Sequence, residues 1–150
     1  MNAQRFTRLD KLRLRLEAQN ACLGWAFGEI ASRPGLDIAG VLDEPQTDRV
    51  YEQWATTGSK WKIPLLTQVV ETVPFSGKRS VPYGTGTVRD FMHAKVTVAD
   101  DTVFFGSFNL SRSGEANAEN MVEIEDPGIA GKIADFIDQT RALYPRSTVP

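Results

Sequence analysis

At 150 residues, with 41% hydrophobic and 24% charged residues, the chain has the composition of one soluble globular domain with a buried core, not of a disordered or fibrous protein. A net charge of −2 is unlike that of a dedicated nucleic-acid binder, and a single cysteine, Cys22, excludes an internal disulfide framework and fits a reducing compartment. One histidine and one cysteine leave no zinc site of the usual N/S kind, and the carboxylates show no calcium-loop spacing, so no metal or other cofactor is expected.

Residues 6–21 read as a helix with Phe6, Leu9, Leu12 and Leu16 on one face, but residues 11–17 also alternate strictly, as a strand would. The apolar stretch 21–27 follows a basic segment but is short and broken by Gly24, so it is not read as a signal peptide. No apolar run approaches the roughly 18 residues of a membrane span. A cytoplasmic location is the default expectation.

Residues 36–42 read as a buried strand. Residues 48–55 read as a helix, with Val50, Tyr51 and Trp54 at helical spacing and Gly58 as its stop. Residues 61–73 are ambiguous, with Pro64 arguing for a break before any helix. Residues 75–90, rich in glycine and proline, read as one long loop beside the site or a partner. Residues 121–124 read as a short strand. Residues 127–144 read as a helix with Ile129, Ile133, Phe136 and Ile137 inward and Pro145 ending it, followed by a fraying tail from Arg146.

The chemistry concentrates between these elements. Residues 93–98 alternate, which puts His93, Lys95 and Thr97 on one face and Ala94, Val96 and Val98 on the other. Asp100 and Asp101 suit a tight turn, residues 102–105 suit the returning strand, and Gly106 releases the chain into a loop carrying Ser107 and Asn109. A neutral imidazole is a competent nucleophile near pH 7. An ammonium, a hydroxyl and a carboxamide can donate to phosphate oxygens as charge develops on them. Asp100 lies about 20 Å of extended strand from His93, so it reads as a hairpin brace. Trp54, Trp61 and Tyr83 suit a substrate groove, although aromatics more often fill a core. Residues 58–95 carry Lys60, Lys62, Lys78, Arg79, Arg89 and Lys95 against Glu71 and Asp90, a local positive field leading into the motif.

The spacing of His93, Lys95 and Asp100, followed by Gly106, Ser107 and Asn109, resembles the HKD motif of the phospholipase D superfamily. Glu119, ahead of residues 121–124, resembles the family's downstream acidic position. One departure is the gap of five residues between Asp100 and Gly106, where many members have six; it reads as a shorter hairpin turn. The resemblance implies an α/β fold, a phospholipase D-like sandwich with a central mixed β-sheet flanked by helices, over residues 30–145. Residues 1–29 remain an unassigned N-terminal segment and 146–150 a tail.

It further implies hydrolysis of a phosphodiester, of a phospholipid or a nucleic acid, through a phosphohistidine. His93 would be the nucleophile, Lys95, Ser107 and Asn109 the phosphate ligands, and Glu119 the carboxylate that fixes the imidazole tautomer. Such chemistry uses two histidines, and this chain has one. The second would come from a homodimer partner or from a missing first-half domain. The alternative is a catalytically inactive half-domain that binds phosphate-bearing ligands or a partner protein.

Overall fold

The computed structural model describes residues 11–16, 30, 33–81, 90, 92–107 and 118–149, with Arg13 the one described side chain in the first stretch. The predicted positions Cys22, Tyr83, Arg89 and Asn109 lie outside the described residues. Among the described residues six strands form one sheet: β1 (Lys11–Leu16), β2 (Asp37–Asp43), β3 (Phe75–Lys78), β4 (Val96–Ala99), β5 (Thr102–Gly106) and β6 (Met121–Glu125). Their spatial order is β3-β2-β1-β4-β5-β6. The first three run parallel, and β4 turns antiparallel against β1 and starts an antiparallel meander. This is the mixed α/β sheet expected from the sequence.

β1 settles the ambiguity of the N-terminal stretch in favour of alternation. It sits at the centre of the sheet, pairing Arg13 with both Ala39 and Val98, so the segment before residue 30 supplies a central strand.

Helices cover both faces. Helix α1 (Glu44–Ala55) starts four residues before the predicted Asp48. Asp43 accepts from the Gln46 amide at 3.1 Å, and Pro45 stands in the first turn, where its missing N–H costs nothing. After a short 3₁₀ turn (Lys60–Lys62), helix α2 (Ile63–Thr72) follows, again with a proline, Pro64, in its first turn. Val69, Val70 and Val73 then pack with Ile38, Leu42, Phe75 and Ala99 on one face of the sheet.

On the other face, helix α3 (Pro127–Ala142), capped by Asp126, lays Ala130, Ala134 and Ile137 on Val98 and Val103. The predicted inward face of α3 is therefore corrected. Ile137 is buried, but Ile129 and Phe136 are exposed and Ile133 is partly buried. Small residues face the sheet because they let the helix approach it closely, which outweighs burying the larger side chains on the adjacent stripe.

Two further expectations change. Residues 75–78 are not loop but the edge strand β3, all four residues buried. At Gly77 a Cβ would stand 2.2 Å from Glu44 Oε1, so any larger residue would displace the buried Glu44 side chain. The tail does not fray at Arg146 either. Arg146 bridges Ser76, the Gly77 amide donates to the Pro145 carbonyl at 2.9 Å, and the Ser147 amide donates to the Phe75 carbonyl at 2.8 Å. The tail thereby covers the backbone groups that the outer edge of β3 would otherwise leave unpaired.

Candidate active site

Strand direction decides which groups meet. β1, β2 and β3 end, β4 begins, β5 ends and β6 begins at one and the same edge of the sheet, because β4 reverses direction against β1. His93, Lys95, Ser107 and Glu119 all belong to segments that arrive at or leave this edge. The Asp100–Asp101 turn lies at the opposite edge, where Ala99 pairs with Thr102. Asp100 has φ 51°, a left-handed backbone that aspartate tolerates better than most residues, and the Asp101 carbonyl accepts from the Asp126 amide at 3.0 Å. The turn thus ties the hairpin to the start of α3, far from His93.

The backbone of 93–95 precedes the strand instead of belonging to it, since ladder pairing begins at Val96 opposite Arg15. His93 is exposed, whereas Lys95 is 7% exposed. The Lys95 ammonium donates to the His93 carbonyl at 3.0 Å. An ammonium carries three donors, and this bond uses one to hold the backbone of the imidazole-bearing residue.

Across the hairpin, Ser107 is knotted to the residues ahead of β6. Its hydroxyl donates to Glu119 Oε2 at 2.5 Å and accepts from the Asn120 amide at 3.0 Å. Its own amide is shared between the Asn120 side-chain oxygen at 3.0 Å and the Asn120 carbonyl at 3.1 Å. The structure thus joins Ser107 to Glu119 and Lys95 to His93. Asn120 was not singled out in the sequence, because nothing in a lone Asn reveals a contact closed across thirteen residues.

A second group missed by sequence reading stands beside the site. Lys78, at the end of β3, is 8% exposed and donates to Ser80 Oγ at 3.3 Å, to Asp90 Oδ2 at 3.0 Å and to the Asp90 carbonyl. The Val81 amide donates to Asp90 Oδ1 at 2.7 Å, and the Met92 amide donates to Ser80 Oγ at 3.1 Å. The Val81 amide first, then the Lys78 ammonium, hold the Asp90 carboxyl below the usual carboxylate range.

Among the described residues, the basic run does not converge into a single groove. Lys78 serves this internal cluster, Arg79 pairs with buried Glu44 at 2.9 Å, and Lys62 stands over the Trp54 and Trp61 rings at 5.7 and 5.5 Å. Trp54 is core and Trp61 is 65% exposed. A cleft of about 300 Å³ lined by Glu44, Asp48, Glu52, Arg79, Thr148 and Val149 is dominated by carboxylates, the wrong sign for a phosphate.

A mixed sheet between helices, with a histidine, a lysine and a serine–glutamate pair along one edge, defines an α/β domain with its candidate site at that edge. The family described as "Cardiolipin synthase, PLD-like domain" matches residues 19–141, and the chain belongs to that phospholipase D-like family. No curated protein matches it. Among solved structures it is similar to Nuc from Salmonella typhimurium, a phospholipase D family member, with a TM-score of 0.66 and 21% identity over 95% of this chain and 85% of that one. It is also similar to NucT from Helicobacter pylori, with a TM-score of 0.60 and 17% identity over 86% and 77% of the two chains. The archaeal chromatin protein TrmBL2 matches with a TM-score of 0.59 and 12% identity over 96% of this chain but 48% of its own. No helix among the described residues is long and apolar enough to cross a membrane.

Proposed function

We propose that this chain is a phospholipase D-type phosphodiesterase that attacks the phosphorus of a phospholipid or nucleic-acid diester with His93. The observation that carries the reading is the gathering of exposed His93, buried Lys95 and the Ser107–Glu119 pair on segments meeting at one sheet edge. The His93 imidazole forms a bond to phosphorus as the alcohol leaves, and water then breaks that bond. Lys95 and Asn109 donate to the phosphate oxygens, where charge develops, and Ser107, whose single O–H proton goes to Glu119 in the free protein, joins them by turning that proton to the phosphate when substrate binds. Glu119 binds the Ser107 hydroxyl through one oxygen and offers the other to the far nitrogen of the imidazole, fixing its tautomer.

The leaving alcohol needs a proton, and the chain has one histidine. A second copy related by a two-fold axis supplies the second imidazole, since an isologous interface doubles whatever stands beside the axis. The chain then works as a soluble dimer, in the cytoplasm by our reading.

The test is light scattering combined with hydrolysis of a bis-aryl phosphodiester, followed by trapping of the phosphorylated protein. A dimer that turns over and carries label on His93 is the expected result. An inactive monomer overturns the reading for this chain alone. It would favour the second reading, a half-domain that binds without turnover, which the single histidine supports. The likeness in fold to TrmBL2, whose structure "shows a novel mode of DNA binding", makes DNA the first ligand to try in that case.

A further inference from the structure

We infer that Lys78, Ser80 and Asp90 form a clasp that positions His93. The inference rests on the role of His93 proposed above. The Lys78 ammonium has three donors and three acceptors around it: Ser80 Oγ, Asp90 Oδ2 and the Asp90 carbonyl. Ser80 Oγ takes one N–H from Lys78 and another from Met92, which fills both its lone pairs.

The clasp closes the base of the connection between β3 and β4, because the Val81 amide also binds Asp90 Oδ1 at 2.7 Å. Its last bond ends on Met92, the residue immediately before His93, whose side chain is 1% exposed and anchored in the interior. Immediately after His93, the Lys95 ammonium returns to the His93 carbonyl. The nucleophile's backbone is therefore held from both sides, by Ser80, itself bonded to the buried Lys78 of the edge strand, and by Lys95 of its own segment. Neither anchor belongs to the regular sheet ladder, which begins only at Val96.

A buried ammonium satisfied at every donor is costly to build and costly to disturb. Its bonds join Ser80 to Asp90 across the base of that connection, and Ser80 in turn holds the Met92 amide beside His93. Positioning accounts for that arrangement, since reaction rates are steep in the placement of a nucleophile. The three residues are positioning residues and touch no substrate.

Because the chain has one histidine, isotope-labelled histidine yields a single imidazole to follow by NMR. Lys78→Met and Ser80→Ala should move that imidazole signal. They should also lower kcat about 10- to 100-fold while KM stays within about two-fold, as expected for a misplaced nucleophile with intact binding. Arg79→Ala, on the exposed neighbour outside the clasp, should leave the signal in place. Should Lys78→Met fail to fold, Ser80→Ala removes only one shared acceptor and carries the test. A folded variant whose imidazole signal superimposes on that of the unmodified protein, or whose kcat is unchanged, overturns the clasp. If the unmodified protein does not turn over, the proposed function fails by itself, and the imidazole signal alone decides the clasp.

Discussion

Ser107 and Asn120 exchange three hydrogen bonds across the β5–β6 hairpin: the Ser107 amide to both oxygens of Asn120, and the Asn120 amide to the Ser107 hydroxyl. This exchange explains Gly106. A Cβ there would stand 2.3 Å from the Asn120 carbonyl oxygen, a backbone atom that cannot swing away. Gly106→Ala should destabilise the fold by about 1–3 kcal/mol, the usual cost of forcing extra atoms into packed structure. It should also lower turnover, because Ser107 moves with the strand end. Denaturant unfolding and a diester assay check both, and a variant as stable as the original would mean that the close approach is relaxed in solution.

The registry of α3 gives a cleaner stability contrast. Ile137 is fully buried under the sheet, while the adjacent Phe136 is 51% exposed. Ile137→Ala should cost about 2–5 kcal/mol. Phe136→Ser should cost clearly less, because half of that side chain already stands in water. Equal costs at the two positions would restore the inward face read from hydrophobic spacing alone.

What was legible in the sequence was local. The β4–β5 hairpin could be read from alternation around an Asp-Asp turn, and the strand 36–42 from its apolar run. The HKD-type spacing of His93, Lys95 and Asp100 carries the family in the sequence itself. What was illegible depended on distant partners. Residues 75–78 look like loop because Gly77 and Pro74 are poor strand residues. They form an edge strand because β2 on one side and residues 145–147 on the other supply their hydrogen bonds. Helix α3 was misphased because hydrophobic spacing counts large side chains, whereas its contact with the sheet selects Ala130 and Ala134. Lys78 and Asp90 were visible only as members of a charge run, with nothing to show that one is buried and bonded to the other.

Asp90 links the clasp to acid stability. Its carboxyl is held below the ordinary range by the Val81 amide and the Lys78 ammonium. A group whose native pKa is lowered stabilises the fold fully above its unfolded value, about 3.9, and loses that contribution as pH falls through the native value. Asp90→Asn should therefore be less stable than the original at neutral pH, and the gap should close below about pH 4. Denaturant titrations at a series of pH values measure the gap directly. A gap independent of pH would show that Asp90 is not perturbed in solution.

Arg13 offers the remaining test, because it fastens the central strand to both α3 and β2. Its Nε donates to Asp138 at 2.7 Å, its Nη2 to the Asp37 carboxylate at 2.7 Å and its Nη1 to the Asp37 carbonyl at 3.1 Å. Its side chain is 7% exposed, whereas those of Asp37 and Asp138 are 62% and 34% exposed. That asymmetry sets the sign of the comparison. Removing Asp138 leaves a guanidinium that water reaches poorly with one carboxylate fewer and also releases Arg141, which donates to Asp138 at 2.9 Å, while removing the guanidinium leaves carboxylates that water can solvate. Asp138→Ala should cost roughly 1–3 kcal/mol, with Asp37 still pairing the arginine. Arg13→Met in the Asp138→Ala background should then recover part of that loss, since the buried charge is gone and an apolar stem of similar length remains. Urea unfolding of the two single variants and the double variant measures the coupling. A double variant less stable than Asp138→Ala alone would mean that Arg13 contributes mainly through its contacts with Asp37, and that the strand–helix ion pair adds little.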